Sequence, residues 1–265
     1  MASLSLGQDL SEEEIQKFVH LAKLAESVER YEDMAEYMRV IVTSQDHRLS
    51  TEERNLFSVA FKNVVASRRS GWRLSSTFEK KDKEGGKESV VLAEADRIYK
   101  ERMEQELKRD CNEVLDLIGK YLSNDDDIEE TKIFYLKMRG DYIRYMVEVC
   151  EEQDKKTELM EQAQKFYDEA SQIASCLAPC NPVRLGLALN YSVFHYEIKE
   201  NAARAREIAQ EAYALAIPEL DNLRDPEFKD SALIMQLLRD NLSLWTEAEV
   251  EQDQEQELGV QQLDE

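Results

Sequence analysis

Apolar residues recur at steps of three and four along most of the chain, which is the spacing of one face of an α-helix. Nine such segments follow one another between residues 11 and 246, and none is a credible strand. They cover residues 11–27, 30–43, 50–80, 88–121, 129–150, 155–177, 182–199, 201–217 and 226–246. The sequence therefore predicts an all-α fold of nine helices in antiparallel succession.

Four of the predicted helix starts carry capping signals. Ser11 and Ser50 each stand three residues before a glutamate, which is the spacing of a capping box. Asn181 and Asp225 each stand directly before a proline, the residue that favours the first position of a helix. We expect helices to begin just after these residues.

Residues 54–78 differ from the rest of the chain in their charge. The formal net charge of the protein is −22, yet this stretch has no Asp or Glu and contains five cations. On a helix, Lys62, Arg69 and Arg73 fall within an arc of roughly 40°. A solvated basic face is the plainer interpretation. Because the rest of the chain supplies acid almost everywhere, the pattern favours a site for a compact, multiply charged anion.

The composition argues against several classes of protein. The acid excess disfavours nucleic acid and anionic membranes as partners, because binding them needs a dense cationic footprint. No apolar run approaches the ~20 residues that span a bilayer, and the N-terminus lacks a signal-peptide pattern. The four cysteines lie inside or at the ends of helical segments. We therefore expect reduced thiols in a cytoplasmic protein, which is also compatible with the nucleus.

No group of residues has the arrangement typical of an enzyme. The three histidines lie on separate elements, and the chain has no glycine-rich phosphate loop, CxxC pair or nucleophile elbow. We expect no catalysis, no cofactor and no metal site.

Three later helices place polar residues on faces that are otherwise apolar. Lys137, Asp141, Arg144 and Tyr145 are three and four residues apart and share a face. Pairing within the helix explains this pattern equally well. The sharper hypothesis is that Asp141 orients a cation, while Arg144 and Tyr145 donate to the same anion as the basic helix.

The other two faces are apolar stripes interrupted by an asparagine. One contains Leu189, Asn190, Val193 and Glu197, and the other contains Leu233, Ile234, Leu237, Asn241 and Trp245. Each stripe alone is more typical of a core in which the polar groups are paired. The alternative is that the two asparagines hold the main chain of an extended peptide, since an amide both donates and accepts.

Four long segments resemble the signature segments of the 14-3-3 family. They are RNLFSVAFKNVVASRRSGWR (54–73), KIFYLKMRGDYIRYMVEV (132–149), NPVRLGLALNYSVFHYEI (181–198) and KDSALIMQLLRDNLSLWT (229–246). The resemblance runs from about Gln16 to Thr246. It implies a cup-shaped subunit of nine antiparallel helices, a homodimer or a heterodimer with a relative, and one amphipathic groove per subunit. Phosphorylated client proteins are the implied partners.

The resemblance also implies roles for individual residues. The phosphate-binding residues would be Lys62, Arg69, Arg144 and Tyr145, supported by Arg73, Lys137 and Asp141. The contacts to the peptide main chain and its polar groups would be Asn190, Glu197, Asn241 and Trp245. The apolar groove wall would be Leu189, Val193, Leu233, Ile234 and Leu237.

The implied dimer interface matches the family less closely than the groove does. Its residues would be Leu24, Val28, Arg30, Asp33, Tyr99, Arg102 and Glu106. The resemblance implies Arg30–Glu106 and Asp33–Arg102 ion pairs across the subunits. Val28 stands where the family usually has a small residue, Ser75 where an apolar one is usual, and Gly71 where a regulatory serine occurs.

The sequence outside the family segments predicts two terminal regions. Residues 1–10 form an N-terminal extension, 11–246 a single domain, and 247–265 an acidic tail that we expect to be disordered. The tail is either a solubilising segment or a weak pseudo-ligand of the basic pocket. The predicted function is a non-catalytic, dimeric adaptor that binds phosphoserine or phosphothreonine motifs. The alternative is a helical-repeat scaffold that binds unphosphorylated peptide tails.

Overall fold

The computed structural model describes residues 7, 9–44, 47–85, 90–123, 126–220 and 225–261. Within these ranges, only the backbone is described for residues 79–85, 90–91, 225–227, 248 and 250–261.

The described residues form nine α-helices and no strand. The helices are α1 Glu12–Ser27, α2 Tyr31–Val42, α3 Thr51–Gly85, α4 Val90–Leu117, α5 Glu129–Glu148, α6 Gln153–Ala174, α7 Pro182–Glu197, α8 Ala202–Leu220 and α9 Asp225–Gln261. A single π-helical turn, Ile118–Leu122, continues α4 to the end that the sequence predicted. The prediction of an all-α fold with nine helices is confirmed.

The capping signals account for three of the helix starts. The Ser11 hydroxyl accepts from the Glu14 amide at 3.4 Å, and the Glu14 carboxylate accepts from the Ser11 amide at 2.9 Å. The Ser50 amide donates to the Glu53 carboxylate at 2.7 Å in the same way. At α7, the Asn181 side chain accepts from the backbone amides of Val183 and Arg184, the two residues after Pro182. Each pair satisfies amides that the first helical turn leaves without a partner.

Helices α3 and α8 end later than the sequence predicted. We expected α3 to end near Lys80 and α8 near Ile217, but they continue to Gly85 and Leu220. Helix α8 passes through Pro218, which removes one backbone hydrogen bond without stopping the last turn.

Helix α9 was expected to end at Thr246 and to be followed by a disordered tail. Its backbone instead continues as helix to Gln261. Residues 247–258 are mostly Glu, Gln and other helix formers, so acidic composition alone does not break the helix. Whether this segment acts as a pseudo-ligand stays a prediction, because most of its side chains are outside those described.

The chain divides into two compact units, so the single domain predicted for residues 11–246 stays a prediction. The first unit contains Met1–Asp125 with Tyr145–Gln153, and the second contains Asp126–Arg144 with Asp154–Glu265. Helix α5 therefore contributes its last residues to the first unit and the rest to the second.

The first unit is built on α2, which packs against α1 and α3, and on α3, which also packs against α4. Its fully buried side chains include Met34, Met38, Phe57, Phe61 and Leu107. Outside this core, the Gly7 amide donates to Thr43 Oγ1 and the Leu10 amide to Ser44 Oγ. Part of the N-terminal extension is thus bonded to the end of α2.

In the second unit, α7, α8 and α9 pack against one another. Their core includes Leu185, Ala209, Met235, Leu238 and Trp245. Ala209 on α8 is fully buried in this core. A second group of buried rings joins α6 to α7, where Tyr167 stacks on Tyr191 with 5.2 Å between ring centroids. Among the described residues, no helix is long and apolar enough to cross a membrane.

Candidate functional site

Two arginines of α3 meet at one carboxylate in the first unit. Arg69 donates through Nε and Nη2 to the two carboxylate oxygens of Glu148, at 3.0 and 2.6 Å. Arg73, one turn further along α3, donates to the same carboxylate at 3.1 Å. The Glu148 side chain is only 10% exposed. These residues, with Tyr145, are called the arginine cluster below.

The guanidinium of Arg69 also lies over the ring of Tyr145, with 4.1 Å from its central carbon to the ring centroid. This cation–π contact holds the predicted hydroxyl donor next to a predicted cation of the same unit. Lys62, the third residue of the predicted basic face, is exposed on α3. Arg68 is engaged elsewhere, with Glu106 at 3.1 Å, so it belongs to a different face.

Asp141 is the centre of the polar network in the second unit. Its carboxylate accepts hydrogen bonds from Lys137 Nζ at 2.9 Å, from the Tyr167 hydroxyl at 2.6 Å and from Asn190 Nδ2 at 2.8 Å. Asp141 is buried. The intrahelical Lys137–Asp141 pair therefore exists, and it is part of a network that reaches α6 and α7.

Arg144 is buried beside this network, with its side chain 6% exposed. Its Nε donates to the Tyr167 hydroxyl at 3.4 Å, and Nη1 lies 3.9 Å from the Glu197 carboxylate. A buried guanidinium held by hydrogen bonds keeps its position better than one at the surface. The arrangement suits a charge that is presented to a ligand.

The charges of this network follow from the local pKa shifts. Burial acts to raise the pKa of Asp141, but Lys137 and Arg144 outweigh it, so the pKa lies below its usual value and the group is ionised. Burial and the Asp141 charge hold the pKa of Tyr167 well above its usual value. The tyrosine hydroxyl therefore stays protonated and can donate to Asp141.

A glycine allows α5 and α6 to approach at this point. A Cβ added to Gly140 would lie 2.8 Å from the ring of Tyr167. A side chain there would displace the ring that bonds Asp141.

The polar residues predicted for the groove differ in their exposure. Asn190 and Asn241 are half-buried, and Glu197 has 45% of its side chain exposed. Trp245 is buried, and its ring stacks on Tyr196 with 4.8 Å between centroids. The indole thus contributes to the core of the second unit, as the sequence analysis expected of a stripe taken alone, and its contact to a peptide stays a prediction.

The predicted apolar wall is partly open and partly packed. Leu233 and Leu237 on α9 are 62% and 44% exposed. Leu189, Val193 and Ile234 are partly buried against the core of the second unit. The α9 leucines are therefore the wall residues with the most apolar surface left for a ligand.

Of the residues predicted for a dimer interface, the apolar ones are exposed and the charged ones pair within the chain. Leu24, Val28 and Tyr99 are 50%, 63% and 54% exposed. Arg30 pairs with Asp33 at 2.6 Å, and Arg102 pairs with Glu106 at 2.9 Å.

Two residues of these networks were missed by the sequence analysis. Glu148 is one acid among 56, and nothing in the pattern separates it from a solvated carboxylate. Its position one helical turn after Arg144 is the signal that could have found it. Tyr167 belongs to the apolar stripe of α6, so its hydroxyl had no marker in the sequence.

His195 is a buried titratable group, and we expect it to make the stability of the protein depend on pH. It is buried against Tyr191 and Phe194, and neither ring nitrogen has a hydrogen-bond partner in the part of the chain that the structure describes. Burial, and then Arg204 and Lys199, lower its pKa, with Asp168 opposing them. Since the unfolded chain binds this proton at higher pH, stability should fall as the pH drops below about 6.5, the ordinary value.

Replacing His195 with Phe should reduce the loss of thermal stability between pH 7.5 and pH 5.5. The phenyl ring keeps the aromatic packing and has no proton to bind. The measurement is the unfolding midpoint by circular dichroism at both pH values, with His20→Gln, an exposed histidine, as the control. Equal losses in the His195→Phe variant and the wild type would contradict the assignment.

Comparisons with known proteins agree on one family. A family model described as 14-3-3 protein matches residues 21–246. Mouse 14-3-3 protein beta/alpha is 50% identical over 231 residues, which cover 87% of this chain and 92% of the relative. The Caenorhabditis elegans 14-3-3-like protein 1 is 49% identical over 244 residues, which cover 92% and 96%. Chicken 14-3-3 protein beta/alpha is also 50% identical over 231 residues, with the same coverage as the mouse relative.

Proposed function

The chain belongs to the 14-3-3 family, and we propose that it is a non-catalytic adaptor that binds phosphoserine or phosphothreonine motifs of client proteins. It holds each motif in an amphipathic groove and thereby regulates or scaffolds the client. The observation that carries the proposal is the family match over residues 21–246, which includes every residue proposed to bind phosphate.

The proposed phosphate ligands are Lys62, Arg69, Arg144 and Tyr145. Contacts in each unit support this choice separately, since Arg69 holds Tyr145 in the first unit and Arg144 is fixed beside Asp141 in the second. Arg144 and Tyr145 are also consecutive residues of α5. A phosphate dianion offers three acceptor oxygens and up to two charges, which suit two guanidinium forks, an ammonium and a hydroxyl.

The peptide is proposed to run along α7 and α9 of the second unit. Asn190 and Asn241 would bind its main chain, with Glu197 and Trp245 as further polar contacts. Leu233 and Leu237 offer exposed apolar surface for its side chains. The bond from Asn190 to Asp141 leaves one amide hydrogen and the carbonyl oxygen of the side chain for the peptide.

Reversal by a phosphatase tests this function. A fluorescent phosphoserine peptide bound to the protein should show high anisotropy, which falls as the phosphate is hydrolysed. Addition of fresh phosphopeptide after inhibition of the phosphatase should restore the signal. Anisotropy that stays high after complete dephosphorylation would support the alternative, a helical scaffold for unphosphorylated tails.

The adaptor is further proposed to act as a dimer, formed by α1 of one subunit, with Arg30 and Asp33 that follow it, against α3 and α4 of another. Exposed Leu24, Val28 and Tyr99 supply apolar surface for it. The local Arg30–Asp33 and Arg102–Glu106 pairs would exchange partners to form Arg30–Glu106 and Asp33–Arg102 pairs across the subunits. A heterodimer with a relative would use the same surface.

Charge reversal at one member of a proposed pair should weaken the dimer several-fold, because an exposed ion pair contributes ~0.2–1 kcal/mol and a like-charge pair opposes association. We expect Arg30→Glu and Glu106→Arg to raise the dimer dissociation constant, and the double variant to restore it in part. Sedimentation equilibrium measures this, with exposed Lys120→Glu as the control. A wild-type protein that stays monomeric at micromolar concentration would contradict the dimer itself.

The proposed setting is the cytoplasm, and also the nucleus. The net charge of −22 disfavours nucleic acid and anionic lipid as partners.

A further inference from the structure

Glu148 is an acidic residue inside the arginine cluster, whose proposed ligand is an anion. Its nearly buried carboxylate accepts two hydrogen bonds from Arg69 and one from Arg73. A negative charge at this place repels a phosphate, so its presence needs a physical reason.

The geometry of the bonds supplies that reason. Arg69 uses Nε and Nη2, which form one edge of its guanidinium, to bind Glu148. A guanidinium has five N–H donors, so the donors on Nη1 and the second one on Nη2 are left for a ligand. Glu148 therefore binds Arg69 from the side and does not use up its donors.

The same carboxylate also separates two cations that repel each other. Arg69 and Arg73 are one helical turn apart, and like charges at this spacing are destabilising. Arg73 has 56% of its side chain exposed, so without a partner it can turn into solvent. With Glu148 bound, both guanidiniums lie beside one carboxylate, and Arg69 covers the ring of Tyr145.

We propose that Glu148 is a positioning residue of the phosphate site, which holds Arg69 over Tyr145 and keeps Arg73 beside them before the ligand arrives. This inference rests on the proposed function and names a residue on which its affinity depends. Groups that are held in place lose less conformational entropy when they bind, which raises affinity.

Positioning and simple electrostatics predict opposite signs for one substitution. Glu148→Gln removes a negative charge, so electrostatics alone predicts tighter binding of a phosphopeptide. Positioning predicts weaker binding, because an amide cannot accept from both arms of the Arg69 fork and leaves the two arginines to repel each other.

The experiment is a fluorescence titration of the full-length protein with a phosphoserine peptide and its unphosphorylated twin. We expect Glu148→Gln to weaken phosphopeptide binding by roughly tenfold or more, as expected for losing a charge-assisted hydrogen bond. Glu148→Asp keeps the charge, but its side chain is too short to reach both arginines. Its affinity for the phosphopeptide should therefore lie between those of the wild type and Glu148→Gln. Glu151→Gln removes the charge of a nearby exposed residue, paired with Lys100, and should change little.

A second background tests whether Glu148 acts through Arg69. In an Arg69→Ala protein, the further change Glu148→Gln should weaken binding much less than it does in the wild type, because only the contact to Arg73 is left to lose. A general loss of folding would weaken both backgrounds alike. Circular dichroism melting of each variant accompanies the titration.

The outcomes separate the two levels of the proposal. Binding by Glu148→Gln that equals or exceeds wild type overturns the positioning role and leaves the proposed function intact. An undiminished effect in the Arg69→Ala background also overturns it. A wild-type protein that binds both peptides equally overturns the proposed function instead.

Discussion

Replacement of Arg144 with alanine is expected to weaken phosphoserine-peptide binding by more than ~100-fold, because a bidentate charge-assisted contact contributes about 3 kcal/mol or more. Arg144 is the proposed phosphate ligand with the most buried side chain, at 6% exposed. The guanidinium donates to the Tyr167 hydroxyl, and the Asp141 charge lies beside it. Calorimetric titration of the phosphopeptide measures the effect.

Two further variants make the Arg144 result specific. Arg144→Lys keeps the charge but loses the planar fork, so its affinity should be intermediate. Arg139→Ala removes an arginine of the same helix that lies over the Phe166 ring, and it should leave affinity nearly unchanged. Equal losses in the Arg139 and Arg144 variants would show that α5 is damaged as a whole, which would contradict the assigned role.

Replacement of Asp141 with alanine is expected to destabilise the protein by about 3–5 kcal/mol, the range for removing one partner of a buried ion pair. The change leaves Lys137, Tyr167 and Asn190 without their common acceptor. Asp141→Asn keeps the shape and one acceptor, so it should cost less. Urea unfolding at neutral pH measures both, with exposed Asp116→Asn as the control.

The same residue predicts a pH dependence. Because Lys137 and Arg144 outweigh burial and hold the pKa of Asp141 below its usual value, its stabilisation is present above the pKa of the unfolded chain. It is lost as the pH falls through the lower folded value. The Asp141→Asn variant should therefore lose less stability than wild type on acidification. A wild-type protein with no such extra loss would contradict the charged network.

Local spacing predicted the parts of this protein that depend on neighbours in the sequence. The capping box at Ser11 and the Lys137–Asp141 pair span three and four residues, and both are present. Contacts between different helices could not be predicted from the spacing of residues along one helix. Asp141 bonds Tyr167, 26 residues later, and Arg69 bonds Glu148, 79 residues later, because packing brings those helices together.

One residue and one helix end show what the sequence leaves open. The stripe that contains Trp245 is typical of a groove and also of a core, and in the structure the indole is buried and stacks on Tyr196. The end of α9 was placed too early, because an acidic segment of strong helix formers carries no stop signal before Gly259. The roles of individual groove residues stay predictions, because the same spacing is typical of a groove and of a packed core.

The central claim is that the phosphate group, rather than the peptide that carries it, determines binding. One serine-containing peptide should be titrated calorimetrically into the wild-type protein with and without its phosphate, at the same salt concentration near 0.15 M. The account predicts binding of the phosphorylated form that is at least ~100-fold tighter, since several charge-assisted bonds form only with the phosphate. Equal affinity for the two peptides would contradict it.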